Sequence, residues 1–525
     1  MKSEFNLLDE KWILAMDDLG EVTEYTLEEI FANANKLRRL AGEISTQDAS
    51  VFRLLLSILY AVYQDRDECG DKHALVTEDD AFDRWHSLWS NGHFDTDLIT
   101  DYLESYRDRF FLFHPVHPFY QVPLTKGTEY QSSKLNGELS ESSNKPRLFS
   151  SISGVQKANM PYDEATRWLV YLNAFDDTSA KPTVRGANLP SCGAGWMGKL
   201  GFIMVEGENL FETLLLNLVL VSEDHVPFPR GTPVWEYEKV KADERTPIPL
   251  PKSPVEILTL QSRRIQLVRN DGFVTGYLLM GGDIVDKENA FIEQMTVWRQ
   301  DSDGNLVPRR HDPARSLWRD YGPIMVKNMD SGENRIPGVI RWTRDLEDRG
   351  LIDFDTITVS TIGVKYADKD FFVENFVTDF MTMNSRLLAD LNEKWNVRIA
   401  DAVAVTDHCV SILWRYAGSV AEICGCDENA RRTASERAKA YAYRSLDRPF
   451  RHWLREINPD IDSVDEKVNQ WLKEVEGIIR SQAMDIMRDS GERALTGKDG
   501  KTAFTAFRAL SYNLHKETHR SSEHE

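Results

Sequence analysis

The chain has 525 residues, 41% hydrophobic and 10% aromatic, which is more than one core usually organises and too apolar for a globally disordered protein. Its formal charge of −21 argues against a free-standing nucleic-acid-binding protein, whose affinity rests on lysine and arginine neutralising phosphates. The acids that interrupt MKSEFNLLDEKWILAMDDLG argue against a secretory leader, no stretch reaches the roughly 18 apolar residues of a membrane span, and five scattered cysteines supply neither a disulfide framework nor a paired zinc knuckle, so a cytoplasmic location with no membrane contact is expected.

From 27 to about 109 the pattern is mostly helical: Phe52, Leu55, Leu56, Leu59, Val62 and Tyr63 recur three and four apart, with Asp48 and Ser50 as caps. Leu98, Ile99, Tyr102, Leu103, Tyr106 and Phe110 repeat that spacing until the prolines of HPVHPFYQVP end it. Residues 125–160 are polar, with isolated aromatics at Tyr130 and Phe149, and read as a long exposed loop. A helix through 164–172 leads into a second irregular stretch, DDTSAKPTVRGANLPSCGAGWMGKLG, where glycines punctuate Lys181, Arg185 and Lys199. Asn209 then caps the apolar helix NLFETLLLNLVL.

Between 227 and 362 the turn signals RNDG and DSDG and several β-branched runs predict a strand-containing region, with IDFDTITVSTIGV as its last strand. From Asp370 onward FFVENFVTDFMTM and the runs 400–423, 430–457 and 464–487 read as four amphipathic helices, followed by the polar tail HKETHRSSEHE. The expected fold is α+β: a large mixed globular domain over 1–368 and a C-terminal four-helix bundle over 369–525. Residues 251–320 balance ten Lys or Arg against ten Asp or Glu, so a local basic surface inside a larger assembly is compatible with the acidic whole.

Catalytic signals are weak. His114 and His117 have a metal-like spacing, but prolines preclude the helix that would aim both rings at one ion, so they read as turn and packing residues. His311 and Asp312 in RRHDP read as a charged turn rather than a general base and its partner, and His408 with Cys409 lacks a third group nearby. No GxSxG, HExxH or P-loop pattern occurs, and GAGWMG lacks the Walker spacing. The glycine stretch has two readings: a phosphate or groove contact made by bare backbone, or a buried turn leading to Asn209. No cofactor and no metal are expected.

FNLLDEKWI at 5–13 and FHPVHPFYQV at 113–122 resemble, in order, the opening and middle signatures of the CasA family, the large subunit of type I-E CRISPR Cascade. LFSSISG, RWLVYLNAFD, GWMGKLGFIMVEGENLFETLLLNLV, LQSRRIQL and VPRRHDPARSLWR continue the resemblance, which with the terminal helices spans essentially the whole chain. It implies a non-enzymatic subunit docked among other Cascade proteins at the 5′ handle of the crRNA. In such complexes protein reads a short duplex signal, the PAM, while base pairing reads the rest. The resemblance further implies support of strand opening and R-loop formation in PAM-containing double-stranded DNA, and recruitment of the CRISPR helicase-nuclease.

Carried over by residue, the family's crRNA-contacting loop is similar to 125–160, with Phe149 stacking on a base and Ser150 and Ser151 bonding phosphate or sugar. Its glycine loop, which meets the PAM duplex in the minor groove, falls within 186–198 and best at Gly193, Ala194 and Gly195. The family lysine entering the same groove falls on Lys287, with Asn289 as the alternative. Its wedge, a hairpin tip commonly carrying glutamine, corresponds to 366–370 and centres on Ala367, Asp368 and Lys369. YADKD holds no glutamine, so either Lys369 makes the contact or the wedge works differently here, with Asp368 and Asp370 flanking it as repulsive charges. Two other readings stand beside this one: a scaffold or adaptor without DNA contact, which the net charge favours, and a metal-dependent hydrolase using His114, His117 or His311.

Overall fold

The helix Ser45–Tyr63 (α1) is buried at every residue from Ala49 to Tyr63, which is why its sequence is apolar on all sides. In this computed structural model, which describes residues 3–67, 69–124, 127–138, 155–178, 192–239, 247–327, 335–497 and 500–519, α1 packs against the helix Tyr162–Phe175. Neither expected cap of α1 serves as one. The helix starts at Ser45 with Ile44 at the cap position, while the Asp48 carboxylate accepts the Gly42 N–H at 2.7 Å and the Ser50 hydroxyl donates to Thr46 O at 2.8 Å. Burial pushes the Asp48 carboxyl up to about 7 against that hydrogen bond.

The 125–160 stretch is not wholly a loop. Strand Thr128–Gln131 (β1) pairs antiparallel with Phe273–Gly281, stacking the ring of Tyr130 on that of Tyr277 at 5.3 Å, and single helical turns follow at Ser132–Leu135 and Val155–Ala158. Phe149, Ser150 and Ser151 lie outside the described residues. Strand Ile203–Glu206 (β2) precedes the helix that Asn209 caps, its side chain accepting the Glu212 N–H at 3.0 Å.

Strands Arg263–Asn270 (β3) and Phe273–Gly281 (β4) complete a sheet of order β1-β4-β3. Their connection is the RNDG signal at work: Asp271 and Gly272 are both left-handed, with φ of 48° and 83°, the pair a two-residue hairpin of this twist requires. The DSDG signal closes a second hairpin, Trp298–Gln300 (β5) with Leu306–Pro308 (β6), where the Asp301 carboxylate accepts the Asp303 and Asn305 amides at 2.9 Å.

Strand Thr356–Tyr366 (β7) lies where IDFDTITVSTIGV predicts a strand, but it is not the last. FFVENFVTDFMTM is no helix: Val373–Asn384 (β8) is a strand beside β7 in a sheet of order β8-β7-β2. Its burial alternates, with Met381 and Met383 inside and Phe380 outside, the period of two that a strand imposes. The helical region therefore begins later, with Glu393–Ile423 (α2), Glu428–Arg455 (α3), Val464–Asp489 (α4) and Ala503–Thr518 (α5). The last takes the place of the helix expected at 371–383 and runs into the segment expected to be a polar tail. α2 packs against all three others around Phe450, Trp453, Trp471 and Leu514.

The chain divides into two compact units: Met1–Arg315, Asn328–Leu351 and Val359–Asp379 form one, and Ser316–Lys327, Ile352–Thr358 and Phe380–Glu525 the other. The helical unit thus draws in two segments that precede the expected boundary at 369. Fold class is α+β with helices concentrated at the C-terminal end. Among the described residues no helix is long and apolar enough to cross a membrane.

Candidate nucleic-acid interface

The glycine stretch is held by one buried arginine. Arg263, at the start of β3, is 1% exposed and donates through Nε to the Asp176 carboxylate, while Nη2 donates to the backbone carbonyls of Asp177 at 2.9 Å and Gly193 at 2.8 Å. A buried guanidinium needs its whole donor set satisfied, and here two segments distant in sequence, at 176–177 and at Gly193, supply acceptors for it. Gly195 N donates to Asp176 O at 2.9 Å, so the turn is tied to the end of Tyr162–Phe175 from both sides. Trp196 anchors the far end, its indole donating at 2.7 Å to Glu293, whose carboxylate also takes a bidentate pair from Arg53 of α1 at 2.8 and 2.9 Å.

The three favoured residues of this stretch separate by role. At Gly195 a Cβ would come within 2.4 Å of Ala174 O, so glycine is required there by the scaffold itself. Ala194 is buried. Gly193 is left-handed, with φ +64°, and only half-buried; a Cβ there would touch the Lys199 side chain at 3.5 Å. Gly193 is the member of the three whose backbone meets the surface.

Lys199 is the electrostatic centre of this region. Burial lowers its pKa first, and the positive charges of Arg263, Lys287 and Arg310 lower it further, to about 8. The basic side chains thus crowd one another beside Gly193, an arrangement that an anion would relieve. Lys287 is exposed on the segment entering β5. Asn289 is exposed too, but its amide oxygen accepts the Leu306 N–H at 2.9 Å and its own N–H donates to Leu306 O at 2.7 Å, so it staples the segment to β6.

The β7–β8 hairpin tip belongs to the same neighbourhood. Thr178 donates its N–H to Asp370 O at 2.9 Å and its hydroxyl to Lys369 O at 2.6 Å, while Tyr366 donates to Phe175 O at 2.6 Å. Lys369 and Asp370 are both left-handed, with φ of 57°, which sharpens the tip, and the Lys369 side chain is exposed. Asp370 is turned into a bidentate pair with Arg310 at 2.7 and 2.8 Å, so the repulsion expected from it is compensated within the fold. Ala367 is half-buried and closes the turn, its N–H donating to Phe372 O at 2.9 Å; of Asp368 the backbone alone is described. Lys199 thus lies beside Gly193 with Lys287 and Arg310 within range of its charge, and Arg310 in turn is bonded to Asp370, next to Lys369.

Several contributors carry no mark in the sequence. Arg263 and Arg310 are two cations among many there, since only the fold brings Asp176 and Asp370 to them. Beside Lys369, Phe371 and Phe372 are 47% and 41% exposed, a signal hidden when they are taken as the start of a helix. On α3, Arg437, Tyr441, Arg444, Arg448 and Arg455 recur at spacings of four, three, four and seven and are all exposed, a basic ridge with an aromatic in it.

The other singled-out residues have structural uses. His114 Nδ1 accepts the amides of His117 and Val116 at 2.8 and 3.2 Å, and the two rings stack at 5.8 Å, which makes them turn residues. The Asp312 carboxylate accepts the Ala314 N–H at 3.0 Å, closing the RRHDP turn. His408 is exposed and paired with Glu517 at 2.9 Å, whereas Cys409 points inward, its thiol pushed up to about 12 by burial and then by Glu517 and Glu476.

The sequence profile of the CRISPR-associated protein Cse1 family matches residues 6–482. A curated relative, the CRISPR-associated protein CasA/Cse1 of Thermus thermophilus, is 30% identical over 353 residues, 66% of this chain; the chain spans 65% of that relative's length. The crystal structure of Thermobifida fusca Cse1 superposes with a TM-score of 0.83 at 28% identity over 98% of both chains. A chain of a structure described as a CRISPR RNA-guided surveillance complex shares the fold, with a TM-score of 0.72 at 15% identity over 98% of this chain and 100% of that one. The resemblance carried by the sequence signatures and these matches agree: the chain belongs to the CRISPR-associated Cse1 family, also named CasA.

Proposed function

We propose that this chain is the non-catalytic large subunit of a type I-E CRISPR Cascade surveillance complex, that it contacts the PAM duplex, and that it supports strand opening and R-loop formation. In this reading the crRNA 5′ handle and the other Cascade subunits are its partners in the complex, and the helicase-nuclease is recruited to it. The observation that carries the reading is Lys199 beside the left-handed Gly193, with Lys287 and Arg310 within range of its charge and the Lys369 tip bonded to Thr178, in a chain with a formal charge of −21. A bare left-handed glycine lets backbone approach a groove, and flanking ammonium groups bond phosphates or minor-groove acceptors. The hairpin lacks glutamine, yet its exposed Phe371 and Phe372 offer apolar faces of the kind that wedge between base steps, with Lys369 beside them for phosphate.

Removing one lysine–phosphate interaction should reduce the salt dependence of binding by about 0.9 in the slope of log K against log salt. In the reconstituted complex, Lys287→Ala and Lys369→Asp should each weaken binding of PAM-bearing duplex and flatten that slope. Unaltered slopes in both would favour the scaffold reading, which the acidic composition supports.

A further inference from the structure

We propose that Glu476, His515 and His519, in the helical unit, form a binding site for a borderline divalent cation such as zinc, clipping the end of α5 to α4. Among the described residues, one ligand-capable atom from each of these three lies within 4.8 Å of the others. His515 and His519 stand one helical turn apart at the end of α5, so both project from one face, and their ring centroids are 3.9 Å apart. Glu476 comes from α4, so the site joins two helices rather than decorating one.

Two of the three groups are already oriented. His519 Nδ1 lies 3.0 Å from the His515 carbonyl oxygen and 3.1 Å from the Thr518 hydroxyl; the carbonyl can only accept, so the tautomer that makes this bond carries the proton on Nδ1 and a lone pair on Nε2. A backbone carbonyl that fixes the tautomer in this way is what ligating histidines commonly have behind them. The Glu476 side chain is 14% exposed and is held by Arg480, which donates at 2.6 Å, and by the Thr518 hydroxyl at 3.2 Å. His515 is exposed, so its ring can rotate towards the oriented pair to make the roughly 2.0–2.1 Å bonds that zinc requires. Two imidazoles and one carboxylate leave a fourth position for water and suit zinc far better than magnesium or calcium, which select oxygen. The thiol that Glu476 acts on, Cys409, is buried and pushed up to about 12, so it offers no thiolate and the site is a structural clasp.

The test uses the full-length chain without a histidine tag, titrated with Co²⁺ and, separately, Zn²⁺. One equivalent of Co²⁺ should bind with the visible bands of a four-coordinate ion, and Zn²⁺ should raise the unfolding temperature. His515→Ala and His519→Ala should each weaken Co²⁺ binding at least tenfold and abolish the Zn²⁺ shift, while His452→Ala, on α3, should change neither. Because His515 and His519 are exposed, both variants should fold, which far-ultraviolet circular dichroism checks. Absence of four-coordinate bands in the wild-type chain, or undiminished binding in both variants, would overturn the site.

Discussion

At Lys199 burial and three neighbouring cations act in the same direction, holding its pKa near 8. The consequence for folding and for binding has opposite signs. Between about 8 and the ordinary lysine range the unfolded chain holds more protons than the folded one, so this group makes stability rise with pH over that window. A phosphate contact needs the ammonium, so binding takes up a proton and weakens as pH rises through 8. From pH 7 to pH 9 the affinity of the complex for PAM-bearing duplex should fall by about tenfold from this group, and Lys199→Gln should remove that dependence. Titrations at both pH values and fixed salt decide it; an identical pH profile in the variant would detach Lys199 from DNA. The sequence marks this lysine only as one basic residue of the glycine stretch; its lowered pKa comes first from burial and then from Arg263, Lys287 and Arg310, which the fold delivers from 64 to 111 positions further along the chain.

Among the elements, those set by short-range chemistry were readable. The hairpin at RNDG depends on two adjacent left-handed residues, and the hairpin at DSDG and the cap at Asn209 on side chains that satisfy nearby backbone amides. β8 was not readable, because Phe372, Phe376 and Phe380 recur four apart while Met381 and Met383 alternate, and only pairing with β7 selects the period of two. The glycine stretch shows the same dependence on distance. Arg263→Met should cost about 3–5 kcal/mol by removing the guanidinium from the buried Asp176 carboxylate, read as a lower urea midpoint of the unit that contains it. A midpoint unchanged from wild type would mean the clamp is dispensable. On α3, the exposed ridge makes a second expectation: Arg444→Glu with Arg448→Glu should reduce the salt slope of target binding without altering the helicity of the isolated chain. An unchanged slope would make the ridge a protein-contacting or solvated face.

For the whole molecule, the acidic composition and the local cluster make one statement about context. A chain of formal charge −21 repels DNA at long range, and salt bridges such as Arg310–Asp370 and Arg263–Asp176 consume part of its positive charge internally. In the proposed reading, the small region around Gly193 acts on a duplex that other subunits already hold nearby. The family was legible in the order of its signatures; that the tip at 366–370 has Asp370 paired with Arg310 and is followed by exposed Phe371 and Phe372 was legible only in the fold. The most direct test compares electrophoretic mobility of a PAM-bearing duplex with the complete complex, with the complex lacking this subunit, and with the subunit alone. The account predicts tight PAM-dependent binding by the first and its loss in the other two; undiminished PAM-dependent binding without the subunit would contradict it.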